Sequence, residues 1–311
     1  MKVFVTGVNG QLGHDVINEL VKRSIGAVGS DITEAYKGTQ DGTAVCTLDY
    51  VMLDITDEKK VQEVLMRIHP DVVIHCAAWT AVDLAEDEDK QEKVYLINAK
   101  GTEYLAKVCK EINAKMLYLS TDYVFDGNGT EPWKPDNENY QPLNVYGKTK
   151  LEGELAVKKH LEQYYIVRIA WVFGLNGKNF IKTMLNLGKK YETLRVVSDQ
   201  IGTPTYTKDL SVLLVDMILT EEYGVYHATN EGGYISWHEF ACEIFKQAAE
   251  LMDEIYSKVN VLPVTTEEYG LSKARRPYNS RLDKSKLTEQ GFKRLPELKD
   301  ALNRYLKEVE I

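Results

Sequence analysis

Tyr146 and Lys150 stand four residues apart in the stretch Asn144-Val-Tyr-Gly-Lys-Thr-Lys150, and that pair can do chemistry. Pro142 supplies a fixed turn ahead of a segment rich in helix formers, so the two side chains fall on one helix face, one above the other. An ammonium then sits close to a phenol. A free tyrosine titrates near ~10; a neighbouring positive charge favours phenolate and brings that value toward the range where a proton is shared with a substrate oxygen near neutral pH. A tyrosine and a lysine at this spacing on an exposed helix are usually just solvated. The elements that position them decide between the two readings.

The chain begins with a β-branched and aromatic run, Lys2 to Thr6, that reads as a buried strand. It ends on Gly7-x-x-Gly10-x-x-Gly13, and Leu12, Val16, Ile17, Leu20 and Val21 then form one helical stripe. The glycines therefore fill a turn between a strand and a helix N-terminus, where backbone N–H groups can reach a pyrophosphate. A second strand, Gly26 to Ser30, delivers Asp31, eighteen residues beyond Gly13. An acidic residue there binds the adenosine ribose of a dinucleotide, or else caps a turn; the strand, turn, helix and strand before it favour the ribose.

Thr33 to Leu48 is polar and reads as a loop. The strand near Tyr50 to Leu53 leads to Asp54-Ile55, with Asp54 placed to meet an adenine or to cap, and Thr56 as the expected cap of the next helix. Val72 to His75 is another buried strand, followed by the small residues of Cys76-Ala-Ala-Trp-Thr80, which let a flat ligand lie against the backbone. Asp83 to Asp89 holds five carboxylates; ahead of a helix from Gln91 onward these read as a solvated face rather than a metal site, so no metal ligand is assigned. Asn98, polar among apolar neighbours in that helix, is a candidate for a structural hydrogen bond. Met116 to Leu119 ends in Ser120-Thr-Asp-Tyr-Val-Phe-Asp-Gly127, with hydroxyl, carboxylate and aromatic groups at a strand's carboxyl end. Tyr165 to Ile169 completes a βα repetition that implies α/β architecture with a parallel, doubly wound sheet.

After Ile169 the regularity changes. Polar and aromatic loops follow, then a short strand from Gly224 to Thr229, a helix from Trp237 to Ala249, and a basic loop from Ala274 to Ser280. Arg275 and Arg276 read most simply as a solvated pair, yet an acidic protein gripping a diphosphate would use arginine's fork. The expected division is a dinucleotide-binding domain of residues 1–169 plus about 192–222, and a smaller α/β substrate domain of about 170–191 plus 223–311, interleaved on the C-terminal side.

Bulk properties narrow the partners. The 311 residues are 44% hydrophobic with a net charge of −9, enough for a substantial core and unsuited to a nucleic-acid surface. The four cysteines are scattered without paired spacing, which suits a reducing compartment. No signal-peptide pattern and no apolar run of bilayer length is present, so the expected location is cytoplasmic, with no membrane contact.

Together, Gly7-x-x-Gly10-x-x-Gly13, Thr121 at a middle strand's end and Tyr146-x-x-x-Lys150 resemble the extended short-chain dehydrogenase/reductase superfamily, with its Rossmann-like sheet. More narrowly, Gly10-Gln-Leu-Gly13, Ala77 to Asp83, Leu119 to Gly127, Pro142 to Lys150, Trp171-Val-Phe-Gly174, Asp199 to Thr205 and Arg276-Pro-x-x-Ser280 resemble the dTDP-4-dehydrorhamnose reductase family, nearly end to end. The resemblance implies reduction of the C4 ketone of dTDP-4-dehydro-L-rhamnose, a step toward surface polysaccharide. Carried onto this chain, it makes Tyr146 the proton donor, Lys150 the ligand of the nicotinamide ribose that lowers the Tyr146 pKa, and Thr121 a hydrogen-bond donor to the carbonyl oxygen. Gly7, Gly10, Gln11, Leu12 and Gly13 would line the pyrophosphate, Asp31-Ile32 and Asp54-Ile55 the adenosine end, and Ala77, Ala78 and Thr80 the cofactor face. Asp122, Tyr123, Trp171 and Arg276 would meet the nucleotide sugar.

Asp31 without an adjacent arginine favours NAD(H) over NADP(H), although the family uses both and Lys37 lies within the neighbouring loop. Some members dimerise through magnesium; no acidic cluster here is assigned to it, and monomer and homodimer both stay open. Rival readings are a nucleotide-sugar epimerase or dehydratase of the same superfamily, and a non-catalytic dinucleotide-binding subunit like the regulatory subunit of methionine adenosyltransferase. Dehydratases carry Thr-Asp-Glu where this chain has Thr121-Asp122-Tyr123, and the retained Thr121, Tyr146 and Lys150 speak for catalysis.

Overall fold

The computed structural model describes residues 1–310. Among them, β1 (Lys2–Thr6), β2 (Gly26–Asp31), β3 (Tyr50–Met52), β4 (Val72–His75), β5 (Lys115–Thr121), β6 (Tyr164–Ile169) and the strand Gly224–His227 form one sheet. Its order is Gly224–His227, β6, β5, β4, β1, β2, β3, and each neighbouring pair runs parallel. The order reverses between β1 and β4, so the strands' carboxyl ends open a crevice there.

Both faces of the sheet are covered, which is why its central strands are apolar almost without a break. Alternation sorts their side chains. Val3, Val5, Val72, Ile74, Leu117, Leu119, Tyr165 and Val167 pack on one face, under α1 (Gln11–Lys22) and the helix Thr207–Ile218. Phe4, Val73, Met116, Tyr118 and Ile166 pack on the other, under α2 (Glu58–Ile68), α4 (Thr102–Glu111) and α5 (Val145–His160). Helix α2 is capped by Asp57, whose carboxylate accepts from the Lys60 N–H; the expected cap, Thr56, instead donates its hydroxyl to Asp54 at 2.7 Å. The helix expected from Gln91 starts earlier, as α3 (Glu88–Tyr95), and passes through a π-helical turn, Leu96–Gly101, into α4.

The smaller unit has its own core, built from Phe173, Ile181, Leu185, Leu194, Val196, Phe240, Ile244, Leu302 and Tyr305. The division differs from the expected one at two places. Thr193–Val197 pairs with Asn260–Val264 and sends Leu194 and Val196 into the smaller core. Conversely, Gly224–His227 pairs with β6 as an edge of the large sheet, and Leu287, Phe292 and Leu295 pack beneath it. Strand pairing is a long-range choice among similar apolar runs, and the local pattern does not contain it.

Candidate active site

Helix α5 carries both Tyr146 and Lys150. Asn144 caps it, its side-chain oxygen accepting from the Gly147 N–H at 2.8 Å, and its first N–H, at Val145, donates to Glu86 Oε1 at 2.8 Å. Lys150 and Glu154 follow Tyr146 down one face at helical spacing, both buried. Glu154 forms a two-bond fork with Arg168 of β6, at 2.8 and 2.7 Å, which pins the helix to the sheet. Gly147 lets the helix approach the Tyr123 carbonyl, which a Cβ at that position would overlap.

Thr121 ends β5 facing the same space. Its hydroxyl donates to Asp122 Oδ1 at 3.0 Å and accepts from the Tyr123 N–H at 3.2 Å. Burial pushes the Tyr146 phenol above the ordinary tyrosine value, and a hydrogen bond with Thr121 partly offsets it. The Lys150 ammonium lies 4.0 Å from the centroid of the Tyr118 ring, and burial pulls its pKa down to about 7 against the opposing pull of Glu154. The expected lowering of the Tyr146 phenol by Lys150 is therefore not what the protein's own groups produce. Desolvation wins because both groups are taken out of water and the ammonium is turned onto Tyr118. Asp122 is raised to about 6, again by burial, with Ser280 and Thr121 opposing.

The strand ends that flank this pair build a cradle. Gly7 has φ +74°, and a Cβ there would lie 2.5 Å from the Ala77 nitrogen. A Cβ at Gly13 would overlap the Gly7 carbonyl, so the turn closes this tightly only with glycine. Helix α1 begins at this turn with no side-chain cap bond and no acidic residue in its first turn, which suits an anion at its N-terminus. Asn98, in the π-helical turn, accepts from the Trp79 N–H at 2.8 Å and donates to Thr149 at 3.2 Å, so the Ala77-to-Thr80 loop is held against α5.

One cavity of about 1040 Å³ joins these parts. Gly7, Gly10, Gln11, Leu12, Gly13, Asp31, Ile32, Asp54, Ile55, Ala77, Ala78 and Thr80 are among the residues that line it, together with Thr121, Asp122, Tyr123, Tyr146, Lys150, Trp171 and Arg276. Several do more than line the cavity. Asp31 accepts from the Asn9 and Ile32 N–H groups at 2.9 and 2.8 Å, so it holds the glycine turn as well as facing the cavity. Gln11 Oε1 accepts from the Gly174 N–H and the Asn179 amide. Arg276 is not part of a solvated pair: it donates to Asp83 at 2.6 Å and to the Tyr123 hydroxyl at 3.1 Å. Asp83, Glu86 and Asp87 correspondingly have partners in Arg276, Val145 and Lys273, in place of the expected solvated face.

Sequence reasoning named Trp171 but missed the aromatic side chains that extend it. Trp237 stacks on Trp171 with ring centroids 3.7 Å apart, and Phe180 and Phe240 extend the surface. All four line the cavity. Trp171 has φ +51°, an unusual backbone for a bulky residue and one that clusters at binding sites. Trp237 carries no local signal, since it starts a helix far along the chain. Among the described residues, no group of three or more His, Cys, Asp or Glu is arranged to hold a metal, and no helix is long and apolar enough to cross a membrane.

A parallel doubly wound sheet with a glycine turn after β1 and a Thr, Tyr and Lys set at its carboxyl rim defines a Rossmann-fold reductase of the extended short-chain dehydrogenase/reductase type. More particularly, the chain belongs to the family described as the RmlD substrate binding domain, whose model matches residues 1–311. It is similar to spore coat polysaccharide biosynthesis protein SpsK of Bacillus subtilis, 38% identical over 99% of this chain and 97% of that protein. It is also similar to the dTDP-4-dehydrorhamnose reductase of Shigella flexneri, 35% identical over 99% of this chain and 98% of that one. The crystal structure of dTDP-4-dehydrorhamnose reductase from Bacillus anthracis, in complex with NADP, is 39% identical, covers 99% of each chain and superposes with a TM-score of 0.85.

Proposed function

We propose that this protein reduces the C4 ketone of dTDP-4-dehydro-L-rhamnose to give dTDP-L-rhamnose, a precursor for surface polysaccharide. The observation that carries the reading is that Thr121, Tyr146 and Lys150 line the same cavity as the Gly7-to-Gly13 turn. Proteins named for this activity match over almost the whole chain and support it.

When bound, a nicotinamide dinucleotide would supply the hydride for the substrate carbon. The turn from Gly7 to Gly13 and the α1 N-terminus would take its pyrophosphate, Asp31-Ile32 and Asp54-Ile55 its adenosine end, and Ala77, Ala78 and Thr80 its face. The tight glycine cradle fits that group. Tyr146, kept protonated by burial, holds the proton that passes from its hydroxyl to the C4 oxygen as negative charge develops there. Thr121 would turn its hydroxyl from Asp122 to the same oxygen and so orient the ketone. Lys150 would hold the nicotinamide ribose, and from there its charge would favour the tyrosinate left after transfer. Asp122, Tyr123, Trp171 and Arg276 hold the nucleotide sugar.

NADH is the favoured cofactor, with NADPH also accepted. The Asp31 carboxylate is fixed by two backbone N–H groups and would repel a 2′-phosphate. The reaction belongs in the cytoplasm, consistent with four free cysteines. Tyr123 favours reduction over dehydration, since a phenol bonded to Arg276 cannot serve as the carboxylate base of a dehydratase. The test is cofactor oxidation against a panel of nucleotide-activated 4-keto sugars, with NADH and NADPH in parallel. Stoichiometric oxidation with the dTDP-linked 6-deoxy ketone is expected; turnover without net oxidation would point to an epimerase and overturn the assignment.

A further inference from the structure

Asp83 belongs to none of the groups assigned above to cofactor or substrate, yet its carboxylate holds the loop that carries Arg276. Oδ2 accepts from Arg276 Nη2 at 2.6 Å, and Oδ1 from the Ala274 N–H at 3.0 Å. Side chain and backbone are thus fixed by one group. Arg276 Nη1 donates to the Tyr123 hydroxyl at 3.1 Å, and the Tyr123 ring meets Tyr146 edge to face. The same short acidic stretch also ties down the start of α5, because Glu86 accepts from the Val145 N–H. Asn144 closes the arrangement, donating to the Arg275 carbonyl at 2.9 Å while capping α5.

The energetics separate orientation from stability. Asp83 is 44% exposed and Arg276 27%, and ion pairs with this much solvent access add little to folding. What such a pair does is select one geometry of a long, flexible side chain. A guanidinium carries five N–H donors in a planar fork; two are taken by Asp83 and Tyr123, and the others belong to a group that lines the cavity.

We infer that Asp83 is a positioning residue for nucleotide-sugar binding: it clamps Arg276 so that the free donors of its guanidinium meet the substrate's diphosphate. The inference rests on the reading of the substrate as a nucleoside diphosphate sugar. Without the clamp, Arg276 samples other rotamers, and the binding energy falls by the entropy of re-ordering it. The chemical step at Tyr146 keeps its groups.

The experiment is a double-mutant cycle on the intact protein with Asp83→Asn and Arg276→Gln. Steady-state kinetics are combined with calorimetric binding of deoxythymidine diphosphate, which needs no turnover. Asp83→Asn is expected to raise the nucleotide-sugar KM and the diphosphate Kd roughly tenfold, leaving kcat and the cofactor KM within about twofold. In the Arg276→Gln background the same change is expected to add nothing further. Additive losses would show that Asp83 acts independently of Arg276, and parallel losses in kcat, cofactor KM and Tm would show a structural role only; either overturns the inference. If wild-type protein oxidises cofactor with the sugar while Asp83→Asn is unchanged, the clamp fails and the function stands. If wild-type protein neither turns over nor binds the diphosphate, the functional reading fails first and takes the clamp with it.

Discussion

The rings of Tyr123 and Tyr146 meet edge to face, with centroids 5.7 Å apart and planes inclined by 79°. Tyr146 therefore has limited room to swing beside Thr121, whose hydroxyl works against the upward push of burial on the phenol's pKa. On the proposed reading, an acid held in one place and kept protonated by burial is what a ketone reduction requires at its oxygen.

Replacing Tyr146 by Phe removes the proton and little else, because the ring and its packing on Tyr123 remain. The rate is expected to fall by roughly 10²–10⁴ while cofactor affinity is kept. Rapid-mixing turnover together with a cofactor-binding titration checks both halves; a variant that keeps full activity removes Tyr146 as the acid.

Burial brings the Lys150 pKa down to about 7, against the opposing pull of Glu154. The positive charge is present below that value and is lost as the pH rises through it. The cofactor Kd is therefore expected to rise with pH above about 7, and a Lys150→Met variant should show a weaker but pH-independent Kd. Fluorescence titrations from acid to alkaline pH read this directly. The same rise persisting in the variant would assign the ionisation to another group.

Gly13→Ala forces a Cβ onto the Gly7 carbonyl, a backbone atom that cannot swing aside. Destabilisation by roughly 2 kcal/mol is expected, along with a larger relative loss of cofactor affinity than of nucleotide-sugar affinity. Denaturant titration and separate binding measurements test it. A variant with unaltered stability and binding would mean that the turn yields to a side chain.

His75 is fully buried between Thr6 and Thr102, with ring-nitrogen distances of 2.7 and 3.1 Å. Burial, aided by the Lys150 charge, lowers its pKa to about 3. The unfolded chain takes up a proton near ~6.5 that the folded one refuses. The stabilising contribution of the neutral ring is thus intact above ~6.5 and declines as the pH falls toward about 3, by about 1.4 kcal/mol per pH unit. Buried Asp15, raised to about 7, acts in the opposite sense, so the informative quantity is a difference. The stability of the wild type relative to His75→Gln is expected to shrink between pH 6.5 and 4.5 at about that slope. A constant gap would remove His75 as the source.

Much of this was legible along the chain. Apolar β-branched runs ending in glycine or in small and hydroxyl residues marked the strands and their carboxyl ends, and the spacing of Tyr146 and Lys150 set them on one helix face. The residues selected for cofactor and substrate line a single cavity, because in a parallel sheet every strand ends at the same rim. Less visible were the groups whose meaning depends on a distant partner. The carboxylate of Asp83 reads as solvent-facing until the 274–276 loop is folded over it, and Trp237 has no apparent relation to Trp171 until the smaller unit closes.

The amino-acid order by itself determined the βα repetition, the glycine turn and the placing of Tyr146 and Lys150 on one helix face, since each depends on neighbours within one or two turns of helix or one strand's length. Only tertiary structure decided which strands join the large sheet, where the ammonium of Lys150 rests, and which carboxylates have partners. Pairing, burial and desolvation are set by groups brought together from far apart in the chain, and the local pattern holds no record of the distances between them.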